Sequence, residues 1–398
     1  LDPKLQDAAA KAIVDGVGAT DRNAALAAVE PQTGFVRALV GGKDWNLLKV
    51  NLAVGRSLLG QSGTGRQPGS SFKPFVLAQA LEEGFTPSKV YPAPSCVAIG
   101  DWRPCNYGGS GYGSASLARA THSSINTVYA QLIRDVGAKD TAALAQRLGV
   151  EIDPENPRAD ITIGLGTWET SPLEMASAYS VFAARGMKAE PTPVLRVTDR
   201  DGNVLIDNTQ PKRTRVLREV IADTMNDVMR GVITSGTARN ANINRPAAGK
   251  TGTSSDSADA WFVGYTPALS TAVWMGHPEG RVAMPNETGG NVPAKMWAAF
   301  MKVALADVEP TDFNDPAPLD SLRDRARRQQ RGGFDLGDRK WPSGLDGDAP
   351  KYQPPIRPEA APPPEIEPTT TTTTRPRLIT TTTTDPDSTT STTSNIPL

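Results

Sequence analysis

Ser70 and Lys73 stand three residues apart in the stretch Gln67-Pro68-Gly69-Ser70-Ser71-Phe72-Lys73-Pro74-Phe75. On a helix that spacing puts both side chains on one face, with Cβ atoms about 5–6 Å apart. A hydroxyl at the start of a buried helix, with an amine one turn on, is a serine nucleophile built without histidine. The positive end of the helix dipole favours the charge that such a serine develops. Burial lets the lysine lose its proton near neutral pH and take the one from serine. The same pair also reads as a capping serine and a lysine reaching for water, and S-x-x-K alone, expected roughly once by chance in a chain this long, favours that plainer reading.

The element that must carry this pair is legible around it. Pro68-Gly69 punctuates the chain, a serine is expected to cap, and Pro74 is tolerable only in a first helical turn. Phe75, Val76, Leu77, Ala78, Ala80 and Leu81 make the following helix apolar almost all round, ending at Gly84, so it is expected to be buried. Two further motifs bear on the chemistry. Ser124-Ile125-Asn126 falls at a helix break near Ser123-Ser124, where polar side chains compete for the backbone, and Lys250-Thr251-Gly252-Thr253 is expected to open a late strand. Each alone also reads as a cap or a strand end. Together, once each and in this order, they point to one constellation.

In chain order, Asp2 and Pro3 start a helix over 1–18, and Ala24 to Val40 reads as a hairpin turning at Pro31-Gln32-Thr33-Gly34. Residues 41–69 form a long Gly- and Ser-rich connection, and 87–113 a turn-rich excursion holding both cysteines. Helices follow over 116–134 (broken in the middle), 141–148 and 171–185, then a hairpin over 193–206 around Asp201-Gly202, and an amphipathic helix over about 216–230. Strands over 247–253, 258–265 and 269–276 and a helix over 293–306 complete the pattern. This order predicts an α+β fold, a central antiparallel sheet flanked by helices with a helical subdomain inserted. The domain is expected to span 1–308. Charge-, Pro- and Gly-rich residues 309–353 read as a loosely attached linker, and 354–398, with Thr369 to Thr374 and Thr380 to Thr384, as a disordered Pro/Thr tail.

Composition bounds the function. The chain has 398 residues, 42 basic against 43 acidic, a net charge of −1 and 38% hydrophobic residues. That suits one large domain or two, and the balanced charge argues against a nucleic-acid partner. No run approaches the roughly 20 apolar residues of a membrane helix. A start at Leu1 leads us to expect an excised piece of a longer chain. Cys96 and Cys105, with His122 and His277, lack metal-ligand spacing, so no metal or cofactor is expected. The two cysteines suit a local disulfide in an oxidising, extracytoplasmic setting, or else two reduced thiols.

With these residues in place, the sequence resembles the transpeptidase domain of class A, bifunctional penicillin-binding proteins, which share S-x-x-K, S-x-N and K-T-G with the serine β-lactamase-like fold. The resemblance covers about residues 1–306 and extends to Gly236-Thr237-Ala238 and Asp259-Ala260-Trp261-Phe262-Val263-Gly264-Tyr265-Thr266-Pro267. The Thr/Pro tail resembles actinobacterial, mycobacterial-type members. The resemblance implies a D,D-transpeptidase that crosslinks peptidoglycan stem peptides through an acyl-serine and is acylated by β-lactams. It implies Ser70 as nucleophile, Lys73 as base, Ser124 as proton shuttle and Asn126 as the residue orienting Lys73 and the stem's amide. Lys250 would supply positive potential, and Thr251, Gly252 and Thr253 would bind substrate, with the threonine hydroxyls on its carboxylate. The backbone N–H groups of Ser70 and Thr253 would form the oxyanion hole. An extracytoplasmic location, an anchor and glycosyltransferase domain upstream, and partners among cell-wall synthesis or hydrolysis proteins follow from the same resemblance.

Three rivals share some of these motifs. A serine β-lactamase needs a carboxylate on a deacylating water; the acidic residue in the corresponding region is Glu169, expected to be structural. A D,D-carboxypeptidase shares every motif and differs in taking water as acceptor. A non-catalytic β-lactam sensor would tolerate decay of the motifs, whereas Lys250 and Asn126 are intact. Cys96 and Cys105 are expected to form a disulfide closing a loop at the cleft's edge, His122 to serve packing, and Tyr107, Tyr112 and Trp168 are candidates to line the cleft.

Overall fold

The structure, a computed structural model, describes residues 1–46, 48–54 and 65–319. The strands are β1 (Asn23–Val29), β2 (Val36–Val40), β3 (Val90–Ala93), β4 (Gly113–Ser116), β5 (Met187–Ala189), β6 (Arg196–Thr198), β7 (Val204–Asp207), β8 (Arg213–Arg215), β9 (Ala248–Thr253), β10 (Asp259–Tyr265) and β11 (Ser270–Gly276). The α-helices are α1 (Pro3–Val17), α2 (Lys73–Glu82), α3 (Leu117–His122), α4 (Asn126–Val136), α5 (Ala138–Leu148), α6 (Pro172–Ala183), α7 (Glu219–Thr234) and α8 (Val292–Ala304).

The central sheet runs β2-β1-β11-β10-β9, antiparallel throughout. β1, β10 and β11 are buried at every position, because both faces of the sheet are covered. Alternate residues divide between two cores. Leu26, Phe262, Val273 and Met275 face the layer of α1 and α8; Ala27, Trp261, Val263 and Trp274 face α6 and the inserted helices. Trp261, Trp274 and Trp297 are fully buried. Removing about 200 Å² of such a ring from water contributes on the order of 5 kcal/mol, an upper value for an extended-chain reference.

Local signals placed most elements. Asp2 caps α1, accepting from the Leu5 N–H at 3.2 Å. Ser171 and Glu174 form a capping box ahead of Pro172 in α6. The break near Ser123-Ser124 separates α3 from α4 as the polar residues predict. Two short ribbons, β3–β4 inside the turn-rich excursion and β5–β8, were not legible, since their strands of three or four residues carry no period. The amphipathic helix begins at Glu219 rather than near 216, and Leu217 ahead of it is already buried.

Residues 309–319 have no helix or strand, but they are held to the domain. Phe313 is buried edge-on against Tyr265, and Asp312 pairs with Arg230 at 3.2 Å. The remainder of the expected linker and the whole Pro/Thr tail lie outside the described residues. Among the described residues, no helix is long and apolar enough to cross a membrane.

Candidate active site

The nucleophile candidate sits on a tight turn. Ser70 lies in a single 3₁₀ turn, Gly69–Phe72, and Lys73 opens α2 directly after it, with Pro74 in its first turn. Positions i and i+3 eclipse on a 3₁₀ turn, so the spacing still aligns the two residues, and the Lys73 N–H donates to the Ser70 carbonyl. The expected capping serine is absent: neither helix start has a side-chain cap. Ser71 instead turns its hydroxyl back onto the Pro68 carbonyl at 2.8 Å.

This turn is clamped from three sides. The Trp261 indole donates to the Gln67 carbonyl at 2.9 Å, and the buried Tyr179 hydroxyl donates to the Ser71 carbonyl at 2.5 Å. From the third side comes Gly166, whose carbonyl accepts from the Gly69 N–H at 3.2 Å. A Cβ on Gly166 would stand 2.0 Å from the Gly69 oxygen, and one on Gly69 2.4 Å from the Thr253 oxygen. Both glycines also have positive φ, +82° and +53°. The three backbones therefore meet with no room for a side chain.

Behind the turn, two lysines converge on Ser124. Lys73 Nζ donates to the Ser124 carbonyl at 2.7 Å and to Asn126 Oδ1 at 2.7 Å, and lies 3.3 Å from Ser124 Oγ. Lys250 Nζ reaches the same Oγ at 2.9 Å and the Thr251 carbonyl at 3.0 Å. Both lysines are fully buried, and among the described residues neither has a carboxylate partner. Burial, then the neighbouring Lys250, holds the Lys73 amine well below the ordinary lysine range; burial brings Lys250 down to about 7. Ser124 itself has φ +55°, a left-handed conformation uncommon for serine, at the point where α3 gives way to α4. Strain of this kind persists only where surrounding contacts over-determine it, and here two lysine side chains hold the hydroxyl. Asn126 starts α4 and passes its second amide bond, Nδ2 to the Cys105 carbonyl at 2.9 Å, to the cysteine loop.

The Lys-Thr-Gly motif ends β9 instead of opening it, at the free edge of the sheet. Gly252 packs on the nucleophile turn, where an added Cβ would meet the Pro68 oxygen at 2.1 Å. The Ser254 N–H donates to the Asp259 carbonyl at 3.0 Å. Ladder alternation then turns the Thr253 N–H away from β10, toward the turn carrying Ser70. Thr251 and Thr253 line a cleft of about 740 Å³ that also holds Ser70, Ser124 and Asn126. Thr237, quoted in the sequence only as part of Gly236-Thr237-Ala238, joins this set, its hydroxyl 2.7 Å from that of Thr251. A hydroxyl residue between two small ones was the only local hint.

Other expectations divide. Cys96 and Cys105 are joined by a disulfide, and Cys105 lies on the cleft wall together with Trp102, Tyr107 and Tyr112. Trp168 does not reach the cleft. With Glu169, Glu151 and Arg158 it lines a separate cavity of about 460 Å³. His122 points under α7, its Nε2 2.9 Å from the Val228 carbonyl, and burial lowers its pKa. Among the described residues no cluster of three or more His, Cys, Asp or Glu is arranged to hold a metal.

Comparison with known proteins gives the family. The family described as "Penicillin binding protein transpeptidase domain" matches residues 24–302. Penicillin-binding protein 1A of Aquifex aeolicus is 34% identical over 304 residues, covering 74% of this chain and 40% of the relative. Its counterpart in Mycolicibacterium smegmatis is 32% identical over 349 residues, covering 80% and 42%. The chain thus spans about two fifths of the length of these relatives. The structure of PonA1 from Mycobacterium tuberculosis in complex with penicillin V superposes with a TM-score of 0.72 at 29% identity, over 80% of this chain and 88% of that one. The chain belongs to the penicillin-binding protein transpeptidase family.

Proposed function

We propose that this domain is a serine D,D-transpeptidase that crosslinks peptidoglycan stems ending in D-Ala-D-Ala and is acylated by β-lactams at Ser70. The observation that carries the proposal is the pair of fully buried lysines meeting at Ser124. Lys73 has two close acceptors for two of its hydrogens, so its remaining position can hold a lone pair directed toward the cleft hydroxyls. A desolvated, neutral Lys73 takes the Ser70 proton as Oγ attacks the carbonyl between the last two residues of the stem. The charge on the tetrahedral oxygen falls to the Ser70 and Thr253 N–H groups, a contribution of roughly 10²–10³ in rate per donor.

Ser124, held between the two amines, passes its proton to the departing D-alanine nitrogen and takes in its place the one Lys73 received from Ser70, which leaves Lys73 neutral again. Lys250 keeps the potential at Ser124 positive, and Thr251 and Thr253, with Thr237 behind Thr251, hold the terminal carboxylate. An amine of a neighbouring stem then attacks the acyl carbon, giving the crosslink and restoring Ser70. In a β-lactam the leaving nitrogen stays tethered, so the acyl-enzyme persists. Glu169 sits in another cavity, which favours this reading over a hydrolytic β-lactamase. Peptidoglycan lies outside the cytoplasm, so this reading assigns the domain to the extracytoplasmic side of the membrane.

Labelling with a fluorescent penicillin tests the proposal, comparing the native chain with Ser70→Ala and mapping the modified peptide. Label on the Ser70 peptide, lost in the variant, is expected; label elsewhere, or none on the native chain, defeats it. Crosslinked dimers from purified stem substrate, in excess over the free tetrapeptide, separate a transpeptidase from a carboxypeptidase.

A further inference from the structure

The small disulfide loop beside the cleft is a ribbon. Val97 donates to the Pro104 carbonyl at 3.0 Å and Ile99 to the Trp102 carbonyl at 2.9 Å, turning at Gly100, whose φ is +59°. The Cys96–Cys105 bond closes its open end. Immediately after it, buried Asn106 ties the ribbon to the start of α4. Its Oδ1 accepts from the Thr127 N–H at 3.1 Å, and its Nδ2 donates to the Pro94 and Ser110 carbonyls at 2.8 and 2.9 Å. Thr127 Oγ1 answers with a bond to the Pro94 carbonyl at 3.0 Å.

One member of the ribbon reaches the catalytic group. The Cys105 carbonyl takes the Asn126 Nδ2 hydrogen at 2.9 Å, and an amide with its nitrogen so committed must present its oxygen on the other side. That oxygen is the one Lys73 Nζ meets at 2.7 Å. Were the amide to rotate, it would aim a donor at a donor, and Lys73 would lose one of its two close acceptors. Both cysteines are exposed, so a reductant in solution can reach them.

We propose that the Cys96–Cys105 ribbon is a positioning element for acylation: through the Cys105 carbonyl it sets the orientation of the Asn126 amide and hence of Lys73, and opening it by a dithiol slows the enzyme. In that step two electrons and two protons pass to the paired sulfurs, giving two thiols, while the dithiol closes to its own disulfide. Reduction frees Cys105 from Cys96, leaving only hydrogen bonds to keep its carbonyl on Asn126. The inference rests on the acylation reading of the site.

The test measures the second-order rate of acylation by a fluorescent penicillin on the oxidised protein and on the same protein reduced by dithiothreitol and freed of it, with two thiols titrated. Cys96→Ala/Cys105→Ala supplies a permanently open ribbon, and Asn106→Ala releases the ribbon from Thr127 with the disulfide intact. Loss of one such bond to the neutral Lys73 amine corresponds to a fall of roughly 2- to 10-fold. That fall is expected on reduction and in both variants, with thermal unfolding still cooperative. Repeating the reduction on Asn126→Ala, with hours-long incubation, separates positioning from general loosening: there the reduced and oxidised forms should react at the same rate. An unchanged rate on reduction of the native protein overturns the inference while leaving the transpeptidase reading intact, as does an equal fall in the Asn126→Ala background. No acylation of the oxidised protein at Ser70 would instead sink the transpeptidase reading itself.

Discussion

Lys73 and Lys250, 177 residues apart in the chain, share one hydroxyl: their Nζ atoms lie 3.3 and 2.9 Å from Ser124 Oγ. Two like charges about one hydroxyl in a dry site are mutually costly, so each favours the neutral form of the other. Burial is the larger cause for Lys73, with the neighbouring Lys250 second, and burial alone brings Lys250 down to about 7.

Acylation should therefore show a bell in pH. Lys73 must be neutral to accept the Ser70 proton, so the rate rises as pH climbs through its lowered pKa. Lys250 must be charged to support Ser124, so the rate falls above about 7. Lys250→Arg, charged at every working pH, should lower the rate overall and flatten the alkaline side. Rates with a fluorescent penicillin from acid to alkaline buffer check both limbs; a profile flat through neutrality would refute the assignment.

Lys250→Met should make the protein more stable while abolishing acylation. The folded pKa, about 7, lies below the unfolded value of roughly 10.4, so the unfolded chain binds more protons between them. Native stability from this group accordingly rises with pH across that window, and the burial penalty is fully present below it. The melting temperature of the variant should exceed that of the native protein most at pH 7 and below, with the margin shrinking toward pH 10. Calorimetry at both ends gives the comparison.

Thr251→Val removes a cleft hydroxyl and strands its partner Thr237, 2.7 Å away. A hydrogen bond to a carboxylate is worth about 1.5–3 kcal/mol, so acylation should slow by roughly 10- to 100-fold with little change in melting. A β-lactam ester lacking the carboxylate should show almost no difference between native and variant.

Gly166→Ala should damage both the site and the fold. Its Cβ would meet the Gly69 backbone oxygen at 2.0 Å, and at φ +82° the substitution is strained even before that clash. Acylation should be lost and the melting temperature lowered, whereas Ala at exposed Gly202, open on all sides, should keep full acylation.

His122→Ala and Glu169→Gln separate bystanders from the catalytic set. His122 bonds to Val228 under α7, and Glu169 faces the cavity shared with Trp168. Both variants should acylate within roughly two- to three-fold of the native protein, His122→Ala at about 1 kcal/mol lower stability. The lifetime of the acyl-enzyme should be unchanged by Glu169→Gln, as followed by recovery of free Ser70.

The sequence by itself determined what depends on near neighbours along the chain. The i,i+3 relation of Ser70 and Lys73, the Asp2 and Ser171 caps, the break before Asn126 and the apolar runs of β10 and β11 are all set within a few residues, so propensity and period reveal them. Misplaced starts, as at α7, and unseen ribbons such as β3–β4 are short stretches where tertiary packing outweighs propensity. Only the fold decided that Ser124 is gripped by two lysines, that Gly69, Gly166 and Thr253 touch backbone to backbone, and that Thr237 joins the cleft while Trp168 does not. It alone also set a carbonyl of the cysteine ribbon on Asn126. Those contacts join residues tens to nearly two hundred positions apart, and their geometry comes from the shared burial of whole helices against one sheet, which no local spacing records.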